Sequence, residues 1–154
     1  MKKMKKILLP ISLVCLMISA CTKEEKIKGC TDTDSINYNS KAQESDGSCQ
    51  YEGNIIFYND KTVAEQLVSE NASNLAYFVD NKLVGTTASN FYFPSLPNCG
   101  TQGSITVKKS LGSVKSQSFT YSVKVDNEQI WSGTVVVKAN TCTPIQLTLD
   151  NTTN

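Results

Sequence analysis

The chain contains no histidine and no arginine among its 154 residues, and it has a single tryptophan, Trp131. Without an imidazole, the Ser-His and Cys-His pairs of nucleophilic catalysis lack their base, and the usual proton carrier near neutral pH is missing. Without a guanidinium there is no planar fork for bidentate phosphate recognition. Beyond the amino-terminal group, the lysines are scattered except for Lys108-Lys109. The basic footprint that marks a nucleic-acid partner is therefore absent, and no nucleic acid is expected to bind. Long apolar runs are missing too: the most apolar stretch, Ile7 to Ile18, has twelve residues, where a membrane-spanning helix needs about 20. No Cys-x-x-Cys spacing occurs, so zinc has no familiar ligand set.

What is present begins with a charged and apolar leader. Lys2, Lys3, Lys5 and Lys6 precede the apolar run, which ends at Ile18-Ser19-Ala20-Cys21, the layout of a secretory signal. The Ile-Ser-Ala-Cys run resembles the lipobox of bacterial lipoproteins. That resemblance implies a signal peptide over residues 1–20 and a Cys21 thiol that carries diacylglycerol and becomes the new first residue. Two or three acyl chains are needed because each buried methylene contributes only about 0.8 kcal/mol. An ordinary cleaved signal with an incidental cysteine is the alternative. Thr22-Lys23-Glu24-Glu25 is similar to the lipoprotein export signal of Bacteroidota, which implies a lipid-anchored protein of the outer membrane facing the cell exterior. A solvated charged linker is the plainer reading of the same four residues. Cleavage at Cys21 removes four of fifteen lysines and none of fourteen acids, leaving a net charge of −3.

Six cysteines are present. Cys15 leaves with the signal and Cys21 is taken by lipid, so four remain, an even number that suggests two disulfides in an exported chain. Three pairings are open, and spacing favours Cys30 with Cys49 and Cys99 with Cys142.

Residues 21–29 are charged and poor in apolar side chains, so they read as a tether reaching at most ~30 Å. Residues 30–51 follow as a small module. The run Gly29-Cys30-Thr31-Asp32, then Asn37-Tyr38-Asn39, then Asp46-Gly47-Ser48-Cys49-Gln50-Tyr51 resembles a repeat module of secreted and surface proteins of bacteria. It departs from that module at Thr33, where proline is common, and at Ser45, where a second aspartate is common. So short a segment cannot offset its ordering entropy without a staple. A Cys30–Cys49 bond supplies on the order of 3 kcal/mol in the chain-entropy model, with Tyr38, Ala42 and Tyr51 expected to cover the sulfurs. Asp32, Asp34 and Asp46, with the side-chain carbonyls of Asn37 and Asn39, also offer oxygens to calcium. The EF-hand spacing is absent, and such residues more often cap and turn the chain.

From residue 54 to residue 150 apolar and polar residues alternate with the period of half-buried strands. In Phe119-Thr120-Tyr121-Ser122-Val123-Lys124-Val125 the apolar residues share one face, and Asp126-Asn127-Glu128 turns the chain into Ile130 to Lys138. A bulge is expected near Gly133. Further strands are expected over Ile55 to Tyr58, Leu75 to Val79, Leu83 to Thr87, Ile105 to Lys109 and Ile145 to Leu149. Thr62-Val63-Ala64-Glu65 reads as a capping box opening a short helix over about residues 62–70. The expectation is a mainly β protein: one seven-stranded sandwich of the immunoglobulin or transthyretin kind with one short helix, preceded by the disulfide-stapled module. A Cys99–Cys142 bond would contribute roughly 4 kcal/mol.

The motifs Ile55-Ile56-Phe57-Tyr58, Tyr77 to Gly85, Pro97-Asn98-Cys99-Gly100, Trp131-Ser132-Gly133-Thr134 and Cys142 make this region similar to a domain of small uncharacterised surface lipoproteins. That resemblance implies a surface β-sandwich and no catalytic residues. A carboxylate-dependent hydrolase would need two acids across a cleft, whereas Glu65, Glu70, Asp80, Asp126 and Glu128 fall in expected turns or on the polar helix face. Phe91, Tyr92 and Phe93 are the candidate binding surface, since exposed aromatics stack on sugars and anchor interfaces. Trp131 shares that chemistry but suits a core equally. The expected function is a non-catalytic surface lipoprotein, held by its lipid to the membrane and acting as a binding, adhesion or envelope-accessory module toward an extracellular glycan or protein. A purely structural envelope role is the rival, and no cofactor besides calcium is a candidate.

Overall fold

The structure, a computed structural model, describes residues 24–151. The signal segment, Cys21 and Lys23 lie outside the described residues.

The chain is engaged earlier than its charge suggests. The Ile27 carbonyl accepts from the Gln43 amide at 2.8 Å. Beyond it, strand β1 (Lys28–Gly29) pairs in parallel with β2 (Glu44–Ser45). The tether expected over residues 21–29 therefore ends near residue 26 and reaches at most about 20 Å. The module is closed by the Cys30–Cys49 disulfide, with Cα atoms 4.8 Å apart. Beside it, the Asn37 side chain donates to the Ser48 carbonyl at 2.7 Å and accepts from the Gln50 amide at 2.8 Å. One amide side chain thus brackets Cys49 as a neighbouring strand would. Tyr38 does not cover the sulfurs as expected, since it is 45% exposed. Tyr51, expected there as well, is buried, and Cys49 packs against the same apolar cluster that Tyr51 joins.

Tyr51 opens β3 (Tyr51–Asn59), followed by α1 (Lys61–Ser69), β4 (Asn74–Val79) and β5 (Lys82–Ala88). Then come β6 (Ile105–Gly112), β7 (Ser116–Val125), β8 (Glu128–Lys138), β9 (Cys142–Leu147) and a 3-10 turn at Leu149–Asn151. Strands β6-β3-β9 form one sheet and β5-β4-β7-β8 another, with β3 and β9 parallel and the other neighbours antiparallel. The protein is mainly β, and the two sheets face each other as a sandwich.

Local chemistry accounts for the hairpins. Asp80-Asn81 and Asp126-Asn127 each join two strands through two residues with positive φ (48° and 62°; 46° and 77°). Aspartate and asparagine tolerate that geometry, and it matches the twist of the flanking strands. Between the sheets, Ile55, Phe57, Leu75, Tyr77, Val123, Trp131, Val137 and Leu147 belong to one buried cluster. The Phe57 ring meets Tyr77 at 5.3 Å and Tyr121 at 5.9 Å. Ile56 points the other way along β3 yet is fully buried. Its neighbours across the sheet are Thr106 and Pro144, and Thr106 Oγ1 accepts from the Gly100 amide at 2.9 Å. The 89–104 segment thus covers the outer face of the three-stranded sheet.

Two expectations are corrected. The helix is capped by Asp60, whose carboxylate accepts from the Val63 amide at 3.1 Å, and Thr62 lies within its first turn. The bulge falls at Ile130, because Val123 pairs with Trp131 while Lys124 pairs with Gln129. Gly133 instead sits opposite Tyr121, where a Cβ would lie 2.9 Å from the Tyr121 hydroxyl; the glycine makes room for that ring. The described residues contain no helix long and apolar enough to cross a membrane.

Candidate functional site

Strand β3 sets the geometry of the molecule's two ends. At its start, the Tyr51 hydroxyl donates to Asp32 at 2.8 Å. Lys115, just past the β6 end, reaches Asp32 at 2.6 Å and Asp34 at 3.2 Å. The module is thereby fastened to the sandwich. At the other end of this nine-residue strand, about 26 Å away at strand rise, Asn59 and Asp60 hold the aromatic segment and the helix.

The Asn59 side chain donates to the Phe91 carbonyl at 3.0 Å, and its own carbonyl accepts from the Phe93 amide at 3.0 Å. Asn59 is itself buried, so it fixes the backbone on both sides of Tyr92. The Ser89 hydroxyl ties the start of the segment to the Ala72 carbonyl at 2.6 Å. Farther along, the Cys99–Cys142 disulfide, with Cα atoms 5.8 Å apart, pins it to the start of β9. Phe91 and Phe93 meet edge to face at 5.1 Å and are half-buried. Gly103, at φ +83°, leaves space that a Cβ would take from the Phe91 ring at 2.8 Å.

Of the three aromatics expected to form a contact surface, Phe91 and Phe93 hold the segment in place, and Tyr92, 40% exposed, faces solvent. Trp131 belongs to the core: it is 1% exposed and its indole N–H donates to the Thr148 carbonyl at 2.8 Å. Beside Tyr92 runs a groove of about 310 Å³ lined by Lys61, Ala64, Glu65, Val68, Ser69 and Asn90. The helix side of this groove was not anticipated. A half-exposed Val68 on an otherwise polar helix face was the one available signal.

The carboxylates offered to calcium are not gathered around a common point. Among the described residues, no three acidic, cysteine or histidine side chains form a metal-holding group. The Lys115 ammonium sits against Asp32 and Asp34, while Asp46 turns back to accept from the Ser48 amide at 2.9 Å. Asn37 is consumed by its bracket on Cys49, and the Asn39 carbonyl oxygen accepts from the Lys41 amide. Hydrogen bonding to Lys115, then to the Asp34 amide and the Tyr51 hydroxyl, lowers the Asp32 pKa to about 2. Hydrogen bonding to Ser48 holds Asp46 below its ordinary value, and Lys109 does the same for Asp80.

Several of the acids weighed for hydrolysis are likewise engaged. Glu65 pairs with Lys61 at 3.2 Å, Glu70 accepts from Gln66 at 2.6 Å, and Asp126 accepts from the Ser73 and Asn74 amides. Asp80 bridges the two sheets, meeting Lys109 of β6 at 2.8 Å and the Thr120 amide of β7 at 3.2 Å. Compared with protein-family models, curated proteins and solved structures, the chain finds no significant match.

Proposed function

We propose that this chain is a lipid-anchored surface protein that carries no catalysis and presents a binding tip away from the membrane. The observation that carries the reading is the placement of the two ends. The chain enters the module at Ile27 after a tether of at most about 20 Å, and the Tyr92 groove lies at the far end of β3 from that module. Anchoring at Cys21, as the lipobox resemblance implies, leaves Tyr92 on the membrane-distal pole. A rigid loop that displays one aromatic ring is a common form of contact surface, because little side-chain freedom is lost when it binds. The non-catalytic part is supported by the acids: Asp32 is paired with Lys115, Asp80 with Lys109, and Asp46 accepts from the Ser48 amide, so each is engaged in holding the fold.

Trypsin added to intact cells tests the placement. Lys26 is exposed in the tether, so cleavage there is expected to release the whole folded domain into the medium. Retention of the uncut protein until the outer membrane is permeabilised would overturn the reading.

A further inference from the structure

We propose that the groove between α1 and Tyr92 seats one neutral sugar ring of a polysaccharide, an inference that rests on the outward-facing binding reading above. Size is the first reason. About 310 Å³ stands at the small end of the roughly 300–1,000 Å³ typical of small-molecule sites. It is a seat for a single ring, whereas a stable protein interface buries about 800 Å² on each partner.

Charge is the second reason. Only Lys61 and Glu65 among the lining residues carry charge, and they neutralise each other at 3.2 Å. A phosphate or carboxylate ligand would face Glu65, and an ammonium ligand would face Lys61. A ligand without net charge avoids both costs.

The pattern of groups is the third. Ala64, Val68 and Tyr92 line a mostly apolar groove, and Lys61, Glu65, Ser69 and Asn90 supply its few polar groups. The Lys61 ammonium donates, the Glu65 carboxylate accepts, and the Asn90 amide does both. The Ser69 hydroxyl already donates to the Gln66 carbonyl at 2.7 Å, so it faces the groove as an acceptor. A pyranose has the complementary form, with an apolar C–H face encircled by hydroxyls that both donate and accept. Aromatic rings take such faces by stacking, and Asn59 holds the backbone on both sides of Tyr92. The groove is open, so one ring binds weakly, and many lipid-held copies meeting one polymer supply the avidity.

The test uses the lipidated full-length mature protein in phosphatidylcholine vesicles, co-sedimented with beads bearing dextran, mannan or laminarin, and with polygalacturonate as the anionic comparison. Retention on at least one neutral polymer is expected. Tyr92→Ala is expected to reduce it roughly tenfold and Tyr92→Phe by less than about threefold, since stacking persists without the hydroxyl. Val68→Lys, which places a charge in the groove, is expected to match the alanine variant. Both side chains are solvent-facing, and the melting temperatures of the three variants should agree with the parent within about 2 °C. No retention on any neutral polymer, stronger retention on polygalacturonate, or unchanged retention in Tyr92→Ala would overturn the inference. Release by trypsin with blank beads would defeat the sugar ring alone; protection from trypsin would defeat the outward-facing reading.

Discussion

Between residues 24 and 50 only Gly29, Cys30 and Ser35 are buried, whereas from Tyr51 to Leu147 buried apolar side chains run through both sheets. The module is held by a disulfide, a bracketing asparagine and an aspartate–lysine contact. The sandwich is held by packing. The contrast follows from size, since a few tens of residues cannot remove enough apolar surface from water to offset chain entropy, and about a hundred can. The two disulfides differ accordingly. Cys30–Cys49 makes the module possible, while Cys99–Cys142 fastens the 89–104 segment to a fold that already has its core.

The contrast is sharpest when the core is attacked. Trp131→Ala is expected to lower global stability by about 3–5 kcal/mol, measured by urea denaturation, and to unfold both sheets together. Replacing Cys99 and Cys142 by serine should cost roughly 4 kcal/mol in the loop-entropy model. Hydrogen exchange at the Phe93 and Gly100 amides should rise first, because their partners Asn59 and Thr106 hold the freed segment. Replacing Cys30 and Cys49 should cost about 3 kcal/mol, confined to the module. The Ile36 and Asn39 amides would lose protection while those of β4 and β7 keep it; equal loss in both regions would dissolve the distinction drawn here.

Asp60→Ala should cost about 1 kcal/mol through the lost helix cap and loosen the helix side of the groove, as read by exchange at the Val63 amide. The smallest effect is pH-dependent. The Asp32 carboxyl is held at about 2 in the folded protein against an ordinary 3.8. A lowered folded-state value means that its stabilisation is present above pH 3.8 and is lost as pH falls through about 2. Module amides should therefore become less protected across that window, and Lys115→Met, which removes the main cause, should flatten the dependence.

Much of the sandwich was legible because its signals are local. The alternation over Phe119 to Val125 and the Asp-Asn pairs at 80–81 and 126–127 carry strand and turn chemistry in adjacent residues. The errors arose where distant residues decide. Gly133 read as a bulge, yet its neighbour across the ladder is Tyr121, and nothing near Gly133 in the chain announces that ring. Asp32 and Asp34 offered oxygens that the sequence could assign to turns or to calcium, and their pairing with Lys115, supplied some eighty residues later, was not legible there. Thr62 offered a better capping box than its surroundings, but Asp60 lies where β3 delivers the chain and so takes the cap. At the groove, the exposed aromatic segment was visible in sequence. That Tyr92 alone faces solvent depends on the buried Asn59 thirty-odd residues earlier.

The central claim is that lipid holds the pole bearing the module and leaves Tyr92 at the other. The most direct measurement is the intact mass of protein extracted from its native membrane, with fragmentation of the first residues. A chain that begins at Cys21 and carries two or three acyl groups is the predicted result. An unmodified Cys21, or a chain beginning elsewhere, would contradict it.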